Sequence, residues 1–306
     1  MQANKFILKP KTILISGATG LIGSHLVPYL EKKGCSVLRL TRNPIKGNDI
    51  KWDLKSSLID LDSTKQIDAV IHLAGENITS RRWSKSQKEK ILKSRELGTS
   101  LLSESIAKLP APPKVLISAS GINYYNQDSD GPHTENSPPG NRFLSTVCKR
   151  WEESTSPALE ANIRVCIMRI GVVLTTSGGA LSKMLPSIKL GLGGRLGSGL
   201  QRMSWIAIDD LVDMIHEAIN DDRWEGPVNA VADEPINNKE FTNLLAKRLK
   251  RPALFPVPEF LIKLLFGQMA EETLLADLPV RSERMPKLGY KLTYPSLNEA
   301  LTHLIK

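Results

Sequence analysis

In Ile13-Leu14-Ile15-Ser16-Gly17-Ala18-Thr19-Gly20-Leu21-Ile22-Gly23 an apolar run feeds three glycines, the third six residues after the first. This order predicts a strand, a tight turn and a helix start. The first glycine can take a dihedral that a side chain forbids, the second lets backbone approach a pyrophosphate, and the third lets the helix lie close to the sheet. A dinucleotide would rest its negative charge on the unpaired N–H groups of that helix, with Gly17, Thr19, Gly20, Leu21, Ile22 and Gly23 around it. An ordinary tight turn can carry the same glycines. The strand before them, and the helical apolar face Leu26, Tyr29, Leu30 after them, favour the dinucleotide.

The end of the next apolar segment, Cys35-Ser36-Val37-Leu38-Arg39-Leu40, bears on which dinucleotide is held. An acidic residue there would bond the adenosine ribose and repel a 2′-phosphate. Thr41-Arg42 stands in that place, with Arg39 nearby, and a guanidinium pairs with phosphate through a fork of donors. NADP is therefore expected ahead of NAD, unless Arg42 simply faces solvent. Asp53, in Lys51-Trp52-Asp53-Leu54, is expected near the adenine ring.

Further along, Arg169 ends an apolar strand before Ile170-Gly171, where a side chain reaches the cleft from the carboxyl end of a sheet. Arg195, Arg202 and Trp205 border Gly191-Leu192-Gly193-Gly194-Arg195-Leu196-Gly197-Ser198-Gly199, which reads as a mobile loop, and could bind an anionic or sugar-like group. Met203 and Trp205 read equally well as core beneath that loop. Asp209-Asp210 reads as a helix N-terminal cap. Cys35, Cys148 and Cys166 are far apart and the histidines are scattered, so no metal site is expected. His72 lies in an apolar strand and reads as a satisfied core histidine.

The elements that must position these residues alternate. Strands are expected at 35–40, 68–74, 114–118 and 163–169, with helices over 20–33, 84–108 and 142–160 between them. That rhythm predicts an α/β, doubly wound parallel sheet of Rossmann type. An NADP-binding domain is expected over 10–170, and a smaller mixed α/β substrate cap over 171–306, with some of its segments returning to the main sheet. The 306 residues, 41% hydrophobic, can bury a sizeable core, and no run is long enough to span a membrane. Lys5, Lys9 and Lys11 flank a very short apolar stretch, which argues against a cleaved signal peptide and for a cytoplasmic protein. Forty-one basic against thirty-two acidic residues give a net charge of +9. The basic stretches 81–95 and 247–251 read as solvated helix faces. Without zinc-finger spacing or aromatic-studded strands, no nucleic-acid partner is expected.

The sequence resembles the extended short-chain dehydrogenase/reductase superfamily, and within it the subfamily called epimerase family proteins. The resemblance is carried by residues 15–23, His72-Leu73-Ala74-Gly75-Glu76-Asn77-Ile78, Ser94-Arg95-Glu96-Leu97-Gly98-Thr99, Lys149-Arg150-Trp151-Glu152, 168–174, 205–211 and a tail over 251–290. It implies Leu73-Ala74-Gly75 under the cofactor ribose, and Asn77 and Arg81 at the cleft mouth, although Asn77 could instead cap a turn. Ser120, or Ser118, would hydrogen-bond the substrate oxygen. Superfamily members place tyrosine four residues before lysine on one helix. Lys149 fits the lysine, but Ser145 stands where the tyrosine belongs. Tyr124 or Tyr125 would then have to manage the proton, unless both pack under the cap, while Lys149 would donate to the nicotinamide ribose or else face solvent on the same helix. The expected activity is an NADP-dependent oxidoreductase or epimerase-like reaction on a small polar, anionic or nucleotide-sugar substrate. An NADP-binding regulatory or scaffold protein is the alternative. The oligomeric state is not legible.

Overall fold

The structure is a computed structural model describing residues 11–62 and 66–305; Lys5 and Lys9 lie outside them. Strand β1 (Thr12–Ser16) is buried from Ile13 onward, as a strand covered on both faces must be. After α1 (Gly23–Lys32) come β2 (Ser36–Thr41), β3 (Asp49–Asp53), β4 (Leu58–Ile59) and β5 (Ala69–His72). The long α2 (Lys85–Ala107), begun by a Ser84 side-chain cap, leads to β6 (Val115–Gly121). Next are α3 (Phe143–Glu153) and α4 (Ser156–Glu160), then β7 (Arg164–Ile170) and β8 (Val172–Leu174). The single helix expected over 142–160 is thus two, with Pro157 in the first turn of the second, where its missing N–H costs nothing.

The remaining elements are α5 (Gly179–Lys189), β9 (Arg202–Met203), β10 (Trp205–Ala207), α6 (Ile208–Asn220), β11 (Gly226–Ala230), β12 (Ile236–Asn237) and α7 (Asn238–Leu249). After them come α8 (Glu259–Phe266), α9 (Arg284–Leu288) and α10 (Leu297–Leu304), with a π-turn at Ala270–Leu274 between α8 and α9.

The main sheet runs β11-β7-β6-β5-β1-β2-β3-β4, parallel throughout except for β4. It is a Rossmann-type sheet, and β11 brings the chain back to it beside β7 after the cap has begun. One apolar core lies between the sheet and α1 and α6, another between the sheet and α2 and α4. A third, around Trp205, Phe241 and Leu301, holds α5, α7 and α10 together in the smaller C-terminal α/β unit. The 191–199 stretch has no regular element, but it is tied down by Leu196 N–H to Asn238 Oδ1 at 2.7 Å and Gly197 N–H to Val257 O at 2.9 Å. Ala207, not an aspartate, occupies the N-cap of α6. Asp210 instead accepts the backbone N–H groups of Thr293 and Tyr294, fastening the tail to that helix. No described helix is long and apolar enough to cross a membrane.

His72 is fully buried in β5, with Nδ1 2.6 Å from Ser16 Oγ and Nε2 2.9 Å from Thr99 Oγ1. Burial pushes its pKa down from 6.5 to about 3. Between those values the unfolded chain takes up a proton that the folded chain refuses. Stability present above pH 6.5 is therefore lost on acidification, by about 1 kcal/mol per pH unit. Urea titrations at pH 7 and pH 5 should show a larger loss for the wild type than for His72→Gln; equal losses would remove His72 as the cause.

Candidate active site

The glycine turn opens where β1 ends. Gly17 has φ +72°, and a Cβ there would stand 2.8 Å from the Leu73 carbonyl carbon. Gly20 N–H closes the turn on Gly17 O at 2.9 Å. A Cβ on Gly23 would overlap the Gly17 carbonyl, so α1 can start this close to the strand only with glycine. No acidic residue occupies the first turn of α1, leaving its amide end positive. Ser16 Oγ accepts the N–H groups of Leu73 and Ala74 at 3.2 and 3.3 Å, pinning the loop after β5 beside the turn.

Two cavities meet at Leu73. The first, about 600 Å³, is bounded by Gly17, Thr19 and Gly20, by Arg39, Thr41, Arg42 and Lys46 at the end of β2 and beyond, and by Leu73, Ala74 and Gly75. Trp52 and Leu54 close its far side. The second, about 570 Å³, lies over the end of β6 and the inner face of α3. Its wall is largely apolar, with Ile22, Leu144, Val147, Met203, Phe266 and Met269 among its members. Ser120, Asn123, Arg95, Cys148, Lys183 and Arg202 supply polar atoms. Glu272, buried in the π-turn, accepts Leu144 N–H at 2.8 Å, so the C-terminal unit caps the helix forming this wall.

Residues 13–230 match the model of the NAD dependent epimerase/dehydratase family, and 257–304 match a domain of unknown function, DUF1731. The chain belongs to the NAD dependent epimerase/dehydratase family. A chloroplastic epimerase family protein SDR39U1 homolog from Arabidopsis thaliana is 38% identical, covering 96% of this chain and 87% of its own. The crystal structure of human epimerase family protein SDR39U1 with NADPH is 33% identical, with TM-score 0.89 over 96% of this chain and 98% of that one. A nucleoside-diphosphate sugar epimerase from Corynebacterium glutamicum is 34% identical, with TM-score 0.78 over 97% of this chain and 58% of that one. The fold is that of an NAD(P)-dependent epimerase or reductase of the extended superfamily, with a C-terminal α/β unit.

Several expected site residues stand elsewhere. Asp53 is not on the cavity wall; its carboxylate is held below the usual range by the Lys55 N–H, then by the Ser56 hydroxyl. Leu21 packs toward Gly178, and Gly23 lies beneath the turn. Lys149 is 56% exposed, with its Nζ 3.9 Å from Glu153. Leu144 and Cys148 are the four-apart pair facing the cavity, and Lys149 lies a further 100° around the helix. Ser145 also turns away, donating to Asn123 O at 2.8 Å. Tyr125 is buried against His133 and donates to Asn229 at 2.6 Å, while Tyr124 stacks on the Arg169 guanidinium; neither lines the cavity.

The arginines are similarly redirected. Arg169 is only 5% exposed, donates to both Glu152 oxygens at 2.9 and 2.8 Å, and faces no cavity. Burial opposes its charge, but Glu152 and Tyr125 outweigh that and hold its pKa above the ordinary value. Arg202 does line the second cavity, yet it is forked onto Asp277 at 3.0 and 2.6 Å. Arg195 reaches Ser198 O at 3.3 Å, and Trp205 is core. Asn77 caps its own turn, accepting Thr79 N–H at 2.8 Å, and Arg81 is exposed outside both walls.

Ser120 is on the second wall, donating to Glu152 Oε1 at 2.7 Å; Ser118, two residues earlier, is buried below it. Arg95, Cys148 and Lys183 on the wall, and Glu152 behind Ser120, were given no site role by the sequence, although the four-residue step from Leu144 to Cys148 was available to find the inward face of α3. Gly17→Val should lower the melting temperature sharply, because the new side chain meets Leu73 backbone in a left-handed conformation. Gly20→Val, whose Cβ meets only Gly17 O at 3.2 Å, should fold and lose dinucleotide binding. Calorimetry on a folded Gly20→Val chain that shows unchanged affinity would take the turn out of the site.

Proposed function

We propose that this protein is an NADP(H)-dependent reductase or epimerase acting on the secondary alcohol or ketone of a small anionic, sugar-like molecule. The observation that carries the cofactor choice is the end of β2. Arg39, Arg42 and Lys46 border the first cavity, and Thr41 stands where an acid would bond a free ribose hydroxyl. Asp49 also borders it, but its carboxylate is turned onto the Ile45 and Lys46 N–H groups, both at 2.9 Å. The human relative holding NADPH supports the same reading. The Corynebacterium relative, a nucleoside-diphosphate sugar epimerase, supports a nucleoside-diphosphate sugar as the substrate class.

The glycine cradle fits a dinucleotide: Gly17 and Gly23 let the turn close tightly on the backbone around it, and Gly20, whose Cβ would meet only Gly17 O, leaves its outer side open to a pyrophosphate. When bound, the nicotinamide supplies or receives hydride at its C4. Gly20 and the start of α1 hold the pyrophosphate, and Arg42 pairs with the 2′-phosphate. Ser120 meets the substrate oxygen. Because its own proton is directed to Glu152 Oε1, its lone pairs are free to accept the substrate hydroxyl. Glu152, clamped by Arg169, fixes that orientation. Leu144, Val147 and Met269 exclude water.

Arg42→Ala should weaken NADPH by roughly tenfold in calorimetry while NADH changes by less than about twofold, a charged hydrogen bond being at stake. Equal losses would reject the 2′-phosphate assignment. In single-turnover hydride transfer, Ser120→Ala should slow the reaction at unchanged NADPH affinity, whereas Ser145→Ala should preserve it. Abolition by Ser145→Ala alone would overturn the role given to Ser120.

A further inference from the structure

Arg95 leaves the inner face of α2 and places its guanidinium at the junction of the two cavities. On one side lies the Trp151 ring, 4.8 Å from Cζ to centroid. On the other lies Gly75, so close that a Cβ there would stand 2.9 Å from Cζ and 3.1 Å from Nη2. Nη1 donates to the carbonyls of Glu76 at 3.0 Å and Ile91 at 3.2 Å. Nε and Nη2 donate to no protein atom among the described residues. Those two donors open onto the cavity, where an oxygen acceptor of a bound molecule can reach them.

The position says which acceptor. Arg42 marks the adenosine end of the first cavity and the glycine turn marks the pyrophosphate. Arg95 and Trp151 belong to the second cavity, past Leu73, while Gly75 belongs to the first. The α3 position facing this spot is Cys148, close enough to Arg95 for the two to interact electrostatically. A thiol leaves room for the guanidinium; a lysine there would bring a second cation against it.

We propose that Arg95 is a cofactor-binding residue, its Nε and Nη2 donating to the ribose hydroxyls on the nicotinamide side of the dinucleotide, so that α2 supplies the cation that superfamily members place on α3. The assignment rests on the NADP(H) reading above. Arginine stays charged at neutral pH, so Arg95 binds and orients but carries no proton. The substrate proton passes to Ser120 Oγ as Ser120 gives its own to Glu152 Oε1, a relay that does not involve Arg95.

The test uses the full chain and two probes in calorimetry: NADP⁺, and adenosine 2′,5′-bisphosphate, which has the adenosine end alone. Arg95→Met should weaken NADP⁺ by roughly tenfold or more and leave the adenosine probe within about twofold. Arg95→Lys should recover part of the NADP⁺ affinity, and it carries the comparison if Arg95→Met does not fold. A loss shared by both probes would mean that Arg95 only props the Gly75 loop, and would overturn the assignment. Unchanged NADP⁺ affinity in a folded Arg95→Met would overturn it as well. A wild-type chain that binds neither probe removes the NADP(H) reading, and the assignment falls with it.

Discussion

The close approach of Gly17 to the Leu73-Ala74 backbone is the constraint on which the rest depends. A hydrogen in place of a side chain lets the end of β1 and the loop after β5 touch, with a Cβ position only 2.9 Å from Ala74 N. Ser16 then bonds that loop, and His72 ties Ser16 to Thr99 of α2. Through these contacts one turn sets the floor of the first cavity, the wall it shares with the second, and the placement of α2. The fully buried His72 is therefore structural: it holds the loop between the cavities and reaches neither.

The second cavity is organised by an ion pair that lies outside its wall. Arg169 and Glu152 are 5% and 11% exposed. Such a pair contributes little net stability, because desolvating two charges offsets their attraction, but removing one partner strands the other. Its value here is directional. With both Glu152 oxygens fixed by Arg169, the Ser120 hydroxyl is drawn onto one of them and its lone pairs are set toward the cavity.

The glycine spacing and the alternation of apolar runs with helices made the Rossmann sheet readable, because those signals are local. Gly17 and Gly23 had to be glycine for reasons of space, the first against the Leu73 backbone and the second against the turn itself. That Arg42 borders the first cavity was readable for the same reason, since it lies just past a strand end. Lys149 was not. Position on α3 is a matter of 100° per residue, and only packing against β6 decides that Leu144 and Cys148, rather than Ser145 and Lys149, turn inward. The arginines pose a different problem. Arg169 and Arg202 have long side chains whose partners, Glu152 and Asp277, are 17 and 75 residues away, so nothing local announces that they are already paired. Arg95 was visible within a family-like stretch, but its role depends on Gly75 and Trp151 arriving from elsewhere.

The Glu272 carboxylate on the Leu144 amide has a consequence for how the protein is made. The helix lining the second cavity is complete once residue 153 has been synthesised, yet its first turn is capped by a side chain that follows more than a hundred residues later. Asn123 and Gln127 wait for the same segment, since both donate to Glu272 O. On the ribosome the glycine turn and its neighbouring strands can form early, whereas the chamber beside them stays unfinished until the last sixth of the chain emerges. A nascent chain can thus complete its glycine turn well before the chamber beside it has its closing wall.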